Sequence, residues 1–204
     1  MAGLIEVRDE QLLKLMQAGD EDAFTTLYRR RQGGIYRFVL EMSGSASLAE
    51  DVTQEVFMAL IRDNRGYDPS RGSLGAYLLG MARHHALRLL KRDRTYVSIE
   101  EGSREGRDLT PFSSEDPHWA MSRQQSIQTV QQAILSLPEH YREAVVLCDL
   151  NEVSYEDAAS VLGCSVGTVR SRLHRGRALL IQKLGGGKQV EADSKAIDPS
   201  RCLA

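Results

Sequence analysis

Arg170, Arg172, Arg175 and Arg177 fall within eight consecutive positions, in the run VRSRLHRGR, and no acid stands among them. Guanidinium groups at this density make and break no bonds. They donate forked hydrogen bonds to phosphate oxygens and to the acceptor edge of guanine. The residues around and ahead of them are small: Ser165, Gly167, Thr168 and Ser171. A helix that enters the major groove needs so slim a leading turn, whereas a merely solvated cationic face does not. The chemistry indicated is DNA recognition. Arg170 and Arg175 can reach guanine or phosphate, and Ser171 is short enough for close approach. Arg172 and Arg177 fall on flanking faces that suit phosphate.

Nothing comparable points to catalysis. HExxH, P-loop and GxGxxG patterns are all absent from the chain. Cys148, Cys164 and Cys202 form no CxxC pair and match no zinc spacing, and Cys148 and Cys164 read as small packing residues. The sequence therefore predicts no catalytic residue, no metal site, no cofactor and no small-molecule substrate. The formal net charge of −2 over 204 residues argues against indiscriminate attraction to nucleic acid. The longest apolar run, Val56 to Ile61, is far short of the roughly 20 residues of a membrane span. The start MAGLIEVRDEQ lacks the apolar core of a secretion signal, so a cytoplasmic location is expected.

The elements that must hold the arginines are legible. Ser154, followed by Glu156 and Asp157, starts a short helix with Ala158, Ala159, Val161 and Leu162 on its apolar face. Gly163 can end it in the left-handed conformation. Ser165 caps the next helix, with Val166, Val169, Leu173 and Leu180 facing inward. Two helices joined by a short turn containing Gly make a helix-turn-helix.

Upstream, the spacing again predicts helices. Leu12, Leu13 and Met16 open one. Asp20 caps the next, which carries Phe24, Leu27 and Tyr28, is weakened at Gly33-Gly34, and ends at the SGS of Ser43–Ser45. Ser47 and Glu50 have capping-box spacing ahead of a helix with Val52, Val56, Phe57, Leu60 and Ile61 inward. Its opposite face carries Asp51, Gln54, Glu55, Met58 and Arg62. After the loop RDNRGYDPSRGS, Ser73 can cap a fourth helix, whose later turns carry Arg83, His84, His85, Arg88, Lys91 and Arg92. Between Ser98 and His118, Glu100, Glu101, Glu105, Asp108, Glu115 and Asp116 outnumber Arg104 and Arg107 among Gly, Ser, Thr and Pro, which describes a flexible acidic linker. Asp116-Pro117 restarts helix. Ile127, Val130, Ile134 and Leu137 form a stripe, and a further helix is expected over Glu139 to Leu150. The expected fold class is all-α, with two small helical domains at 8–95 and 117–184. A linker at 96–116 joins them, and a disordered tail or regulatory extension follows over 185–204.

At this point a resemblance emerges. SLPEHYREAVVLCDLNEVSYEDAASVLGCSVGTVRSRLHRGRALL (Ser136–Leu180) resembles region four of the extracytoplasmic-function (ECF, group IV) branch of bacterial RNA polymerase sigma factors, most specifically in its GTVRSRLHRGR core. AEDVTQEVFMALIRD (Ala49–Asp63) and YDPSRGSLGAYLLGMARHHALRLLKR (Tyr67–Arg92) resemble region two. The resemblance implies a protein that directs core polymerase to promoters, assists melting, and is held inactive by an anti-sigma factor, often in stress responses. Its implied partners are the clamp helices of the largest polymerase subunit, the flap, and promoter DNA. Carried over residue by residue, Asp51, Gln54, Glu55 and Met58 become polymerase contacts, a face that spacing alone reads as solvated. Thr168, Arg170, Ser171, Arg172, Arg175 and Arg177 become minus-thirty-five contacts. Asn64, Tyr67, Ser70, Arg71, Arg83, His84 and Arg88 become minus-ten contacts. Tyr67 stands equally well as a base platform or as an anchor for its own loop. His84 and Arg88 depart from the family's usual Asn and polar residue, and Tyr77 stands where Trp is usual. The competing reading is a free-standing helix-turn-helix operator binder, which would dimerise on a palindrome.

Overall fold

Five short polar side chains start five of the helices in the described residues, each by accepting the free backbone N–H three residues on. They are Asp20 (from Ala23, 3.0 Å), Ser45 (from Leu48, 3.3 Å), Ser73 (from Ala76, 3.1 Å), Ser154 (from Asp157, 3.1 Å) and Ser165 (from Thr168, 3.2 Å). The computed structural model describes residues 7–63, 66–97 and 117–194, with side chains for 7–63, 66–92 and 125–185. The helices are α1 (Asp9–Gln17), α2 (Glu21–Ser43), α3 (Ala46–Arg62), α4 (Leu74–Val97), α5 (Pro117–Leu135), α6 (Glu139–Val145), α7 (Tyr155–Leu162) and α8 (Val166–Ser194). A 3-10 turn occupies Pro69–Arg71 and a π-helical turn Val146–Leu150. No strand occurs among the described residues.

The N-terminal half is a bundle built on α2. Its buried Leu27, Ile35, Phe38, Val39 and Met42 meet Val52, Val56, Phe57 and Leu60 of α3 and Leu74, Leu78 and Ala82 of α4. Tyr28 and Phe57 pack with ring centroids 4.7 Å apart. This burial explains why α2 runs unbroken through Gly33-Gly34: a helix-interior Gly costs only about 1 kcal/mol, while one buried Leu or Phe returns about 1.5–3 kcal/mol. Asp9 ties α1 to α2. It is 6% exposed and accepts from both Arg30 and Arg31, and Arg30 also donates to the Val7 carbonyl at 2.8 Å. Asp9→Ala should cost about 2–3 kcal/mol, under the usual figure for breaking a buried pair because the arginines are 30% and 40% exposed. Urea unfolding measures it, and a loss within about 0.5 kcal/mol would mean that water replaces the carboxylate.

In the C-terminal half, Leu137, Ala144, Val145 and Leu173 form a small cluster that fixes α8 on α6. Gly176 lets the two helices touch: a Cβ there would stand 2.8 Å from Val145 Cγ2 and 3.3 Å from the Tyr141 carbonyl. Val146, Leu147, Ala158, Val161, Leu162 and Val169 join the N-terminal core instead, so the apolar interior is continuous across both halves.

Several local expectations are revised. Ser45 rather than Ser47 caps α3, because the chain enters the helix two residues earlier. Ile61, Ile127 and Val130 were expected inward but are 50%, 50% and 41% exposed. Ile61 sits on the last turn of α3, and among its described side chains α5 buries only Ala133 and Ile134. The helix expected over Glu139 to Leu150 is α-helical only to Val145, where it widens into the π turn. Asn151 closes that turn, its N–H bonding the Val146 carbonyl at 3.1 Å and its side chain the same oxygen at 2.9 Å. α8 was expected to end at Gly185 but continues through three glycines to Ser194. The acidic linker at 98–116, its Asp116 cap, Asn64 and residues 195–204 lie outside the described residues.

Candidate nucleic-acid interface

The helix-turn-helix is α7, a turn and α8. Gly163 ends α7 at φ +61, the left-handed conformation that favours glycine. Val169 and Leu173 are buried, so the opposite face of α8 is turned outward, with Arg170, Ser171, His174 and Arg175 all exposed. Ser171 Oγ donates back to the Thr168 carbonyl at 2.9 Å, and the Thr168 and Ser165 hydroxyls are 2.9 Å apart. These bonds keep the leading turn tight and small. Arg170 lies over the Tyr155 ring, 5.7 Å from its centroid, which holds the guanidinium beside the turn. Arg172 points back, with Nη1 4.0 Å from Cys164 Sγ. Arg177 differs from the others. It makes a forked pair with Asp149 at 2.6 and 3.0 Å, and that carboxylate raises its pKa further above the ordinary guanidinium range. In this structure Arg177 ties α8 to the π turn rather than standing free for phosphate.

The second surface is a cleft of about 370 Å³ between the loop after α3 and one face of α4. Tyr67 and Tyr77 line it, with ring centroids 5.6 Å apart. Tyr67 also anchors its own loop, since its hydroxyl donates to the Gly72 carbonyl at 3.1 Å. Burial pushes both phenols above the usual range, with nearby acids adding to the effect, so both stay protonated donors at neutral pH. Asp68 caps the 3-10 turn by accepting from the Ser70 N–H and Oγ, and those bonds lower its pKa. Ser70 and Arg71 are exposed on that turn. Gly66 passes so close to Tyr77 that a Cβ would stand 2.7 Å from the hydroxyl.

Sequence reasoning missed part of the lining. Tyr77, Met81 and His85 belong to the cleft with His84, and their four-residue spacing along one face of α4 was the available signal. Burial, then the neighbouring Arg88, lowers the His85 pKa, which leaves a neutral ring as donor or acceptor. Arg88 Nη2 lies 3.3 Å from His85 Nδ1. Arg83 is turned away from the cleft, and its Nε donates to Glu143 of α6 at 2.6 Å. On α3, Asp51 and Gln54 are exposed, Met58 is 42% exposed, and Glu55 lies 3.6 Å from Arg62. No cluster of three or more metal-ligating side chains occurs among the described residues, and no helix among them is long and apolar enough to cross a membrane.

Residues 27–95 match the family model for sigma-70 region 2, and residues 127–180 match that for sigma-70 region 4. The chain is 34% identical over 179 residues to the ECF RNA polymerase sigma factor SigE of Mycolicibacterium smegmatis, covering 86% of this chain and 68% of that one. This chain belongs to the ECF sigma factors. It is 31% identical over 188 residues to the ECF RNA polymerase sigma-E factor of Escherichia coli, covering 88% and 95% of the two chains. Two solved structures share the fold at 23% identity and a TM-score of 0.66. One is the Bartonella quintana sigma factor RpoE in complex with the anti-sigma factor NepR (79% of this chain, 96% of that one). The other is CnrH in complex with the cytosolic domain of CnrY (87% and 97%). An ECF sigma factor directs core RNA polymerase to promoters and takes part in initiation.

Proposed function

We propose that this sigma factor divides promoter reading between the two surfaces. Arg170, Ser171 and Arg175 read the minus-thirty-five element in the major groove, with Thr168 and Arg172 on flanking phosphates. The cleft takes a base of the melted minus-ten strand. Tyr67 and Tyr77 offer stacking walls, and His84, Ser70 and Arg71 offer hydrogen bonds to the base edge and backbone. Trapping a single-stranded base draws the duplex toward the open state, because a partner that binds one state stabilises it. Asp51, Gln54, Glu55 and Met58 form the polymerase-facing side of α3. The domain at 8–95 carries the minus-ten and polymerase contacts, and the domain at 117–184 the minus-thirty-five contacts. The protein is a binding factor without catalysis of its own, acts in the cytoplasm beside polymerase, and is restrained by an anti-sigma factor, as RpoE is paired with NepR. The observation that carries this reading is the pairing on one chain of a slim, arginine-faced helix with an aromatic-walled cleft.

The experiment is transcription from a randomised promoter library by purified core polymerase, with and without the protein. Initiation at a selected pair of sequence elements, only when the protein is present, is the expected result. Tight duplex binding by the protein alone, with no stimulated initiation, would instead indicate an operator binder. Within the selected set, Arg170→Ala should lower discrimination at one upstream base by about 1–3 kcal/mol. An equal loss on every sequence would reduce Arg170 to a phosphate contact.

A further inference from the structure

His85 ends a stripe of α4 that lines the cleft, with Tyr77 and Met81 before it at four-residue spacing. Its two ring nitrogens stand in different surroundings. Nδ1 lies 3.3 Å from Arg88 Nη2. A guanidinium has donors only, so Arg88 donates, and Nδ1 accepts and carries no proton. The ring is neutral, because burial first and Arg88 second disfavour its charged form; His84 acts the same way, and Glu55 alone opposes them. A neutral imidazole with a bare Nδ1 holds its one proton on Nε2. Nε2 has no hydrogen-bond partner among the described residues, and solvent reaches it. The cleft wall therefore carries a polar atom of fixed sense: a donor that cannot turn into an acceptor while Arg88 stays in place.

We infer that His85 determines which base the cleft accepts, and that Arg88 is the residue that positions it. The Nε2–H selects a base with a carbonyl at its outer edge, thymine or guanine, over one with an amino group there, cytosine or adenine. The inference deepens the reading of the cleft as a base site and rests on it. An amino group set against Nε2–H would bring two donors face to face, each stripped of the water it had bonded. A histidine without Arg88 could not discriminate in this way. It would move its proton to Nδ1 and accept from the amino group. Arg88 prevents that exchange. Its bond to His85 is the only hydrogen bond it makes among the described residues, so its part in recognition runs through the imidazole and not through a strand phosphate.

The test uses saturated holoenzyme of the full chain on a promoter whose minus-ten non-template strand is left unpaired. Each position in turn carries thymine or 5-methylcytosine, then guanine or 2,6-diaminopurine. Within each pair the outer carbonyl becomes an amino group and the outline of the base is kept. At one position wild type should retain the carbonyl member about 10-fold better. His85→Phe, which keeps a ring, and Arg88→Met, at an exposed position, should each bring that ratio close to one. Arg88→Lys, again a donor without an acceptor, should keep the wild-type ratio. A ratio between two bases is insensitive to any general loss of stability or of core binding. Three results would overturn the inference: no carbonyl preference at any position in wild type, a preference that survives His85→Phe, or an Arg88→Met that weakens both members equally, as loss of a phosphate contact would. The cleft's own test is Tyr67→Ala in the same assay. If that change leaves retention intact, the base-site reading fails. If it lowers retention while His85→Phe leaves the ratio unchanged, the base site stands and the role of His85 falls.

Discussion

Leu173→Ala is expected to remove about 3 kcal/mol or more of stability from the C-terminal half and, with it, duplex binding by α8. The basis is the size of the cluster beneath the recognition helix. Leu173 is 2% exposed and packs with Leu137, Ala144 and Val145, two of which are already small. Truncating a buried Leu costs about 2–5 kcal/mol, and the cost is highest where neighbours cannot collapse into the space. Gly176 holds α6 and α8 at a fixed close approach one turn away, so collapse is hindered. Denaturant unfolding should show the loss. Transcription from promoters that depend on the upstream element should fall steeply with temperature. Full stability in Leu173→Ala would mean that the continuous core through Val169 is enough to hold α8.

The combined change Gln54→Ala and Glu55→Ala is expected to weaken core polymerase binding by about 30-fold or more, which is about 2 kcal/mol, the level of an interface hot spot. Gln54 is exposed, and Glu55 makes only a 3.6 Å contact with Arg62. Surface changes of this kind move stability by no more than about 0.5 kcal/mol, so the melting curve should not shift. The test is a titration with labelled protein. Unchanged affinity would return this face of α3 to an ordinary solvated surface, and the polymerase contact would then have to lie elsewhere on the bundle.

What the sequence disclosed and what it hid divide by distance along the chain. The caps at Asp20, Ser73, Ser154 and Ser165 and the stop at Gly163 act over three residues or fewer, so residue types reveal them directly. The inward Val169 and Leu173 follow from helical period, and the outward arginines follow from them. The roles of Asp157 and Glu143 were invisible for the opposite reason. Their partners, Ser73 and Arg83, are 84 and 60 residues away, and an acid in the first turn of α7 looks like simple support for the helix N-terminus. Ile127 and Val130 show the limit of the period itself. It identifies a stripe but not how much of it finds a partner. The commitment of Arg177 to Asp149 is a further case, since four arginines in one run gave no sign that one of them serves the fold.

The two faces of α8 answer to different demands. Val169, Leu173, Gly176 and Arg177 fix its depth and roll against α6, α7 and the π turn, while Arg170, Ser171 and Arg175 are exposed, with Arg170 resting over the Tyr155 ring and Ser171 bonded within its own turn. Letters on the outer face can therefore be exchanged without moving the scaffold. If that face reads the upstream element as proposed, a lineage carrying this chain can redirect it to a different set of genes by a few substitutions there. The inner face allows no such drift.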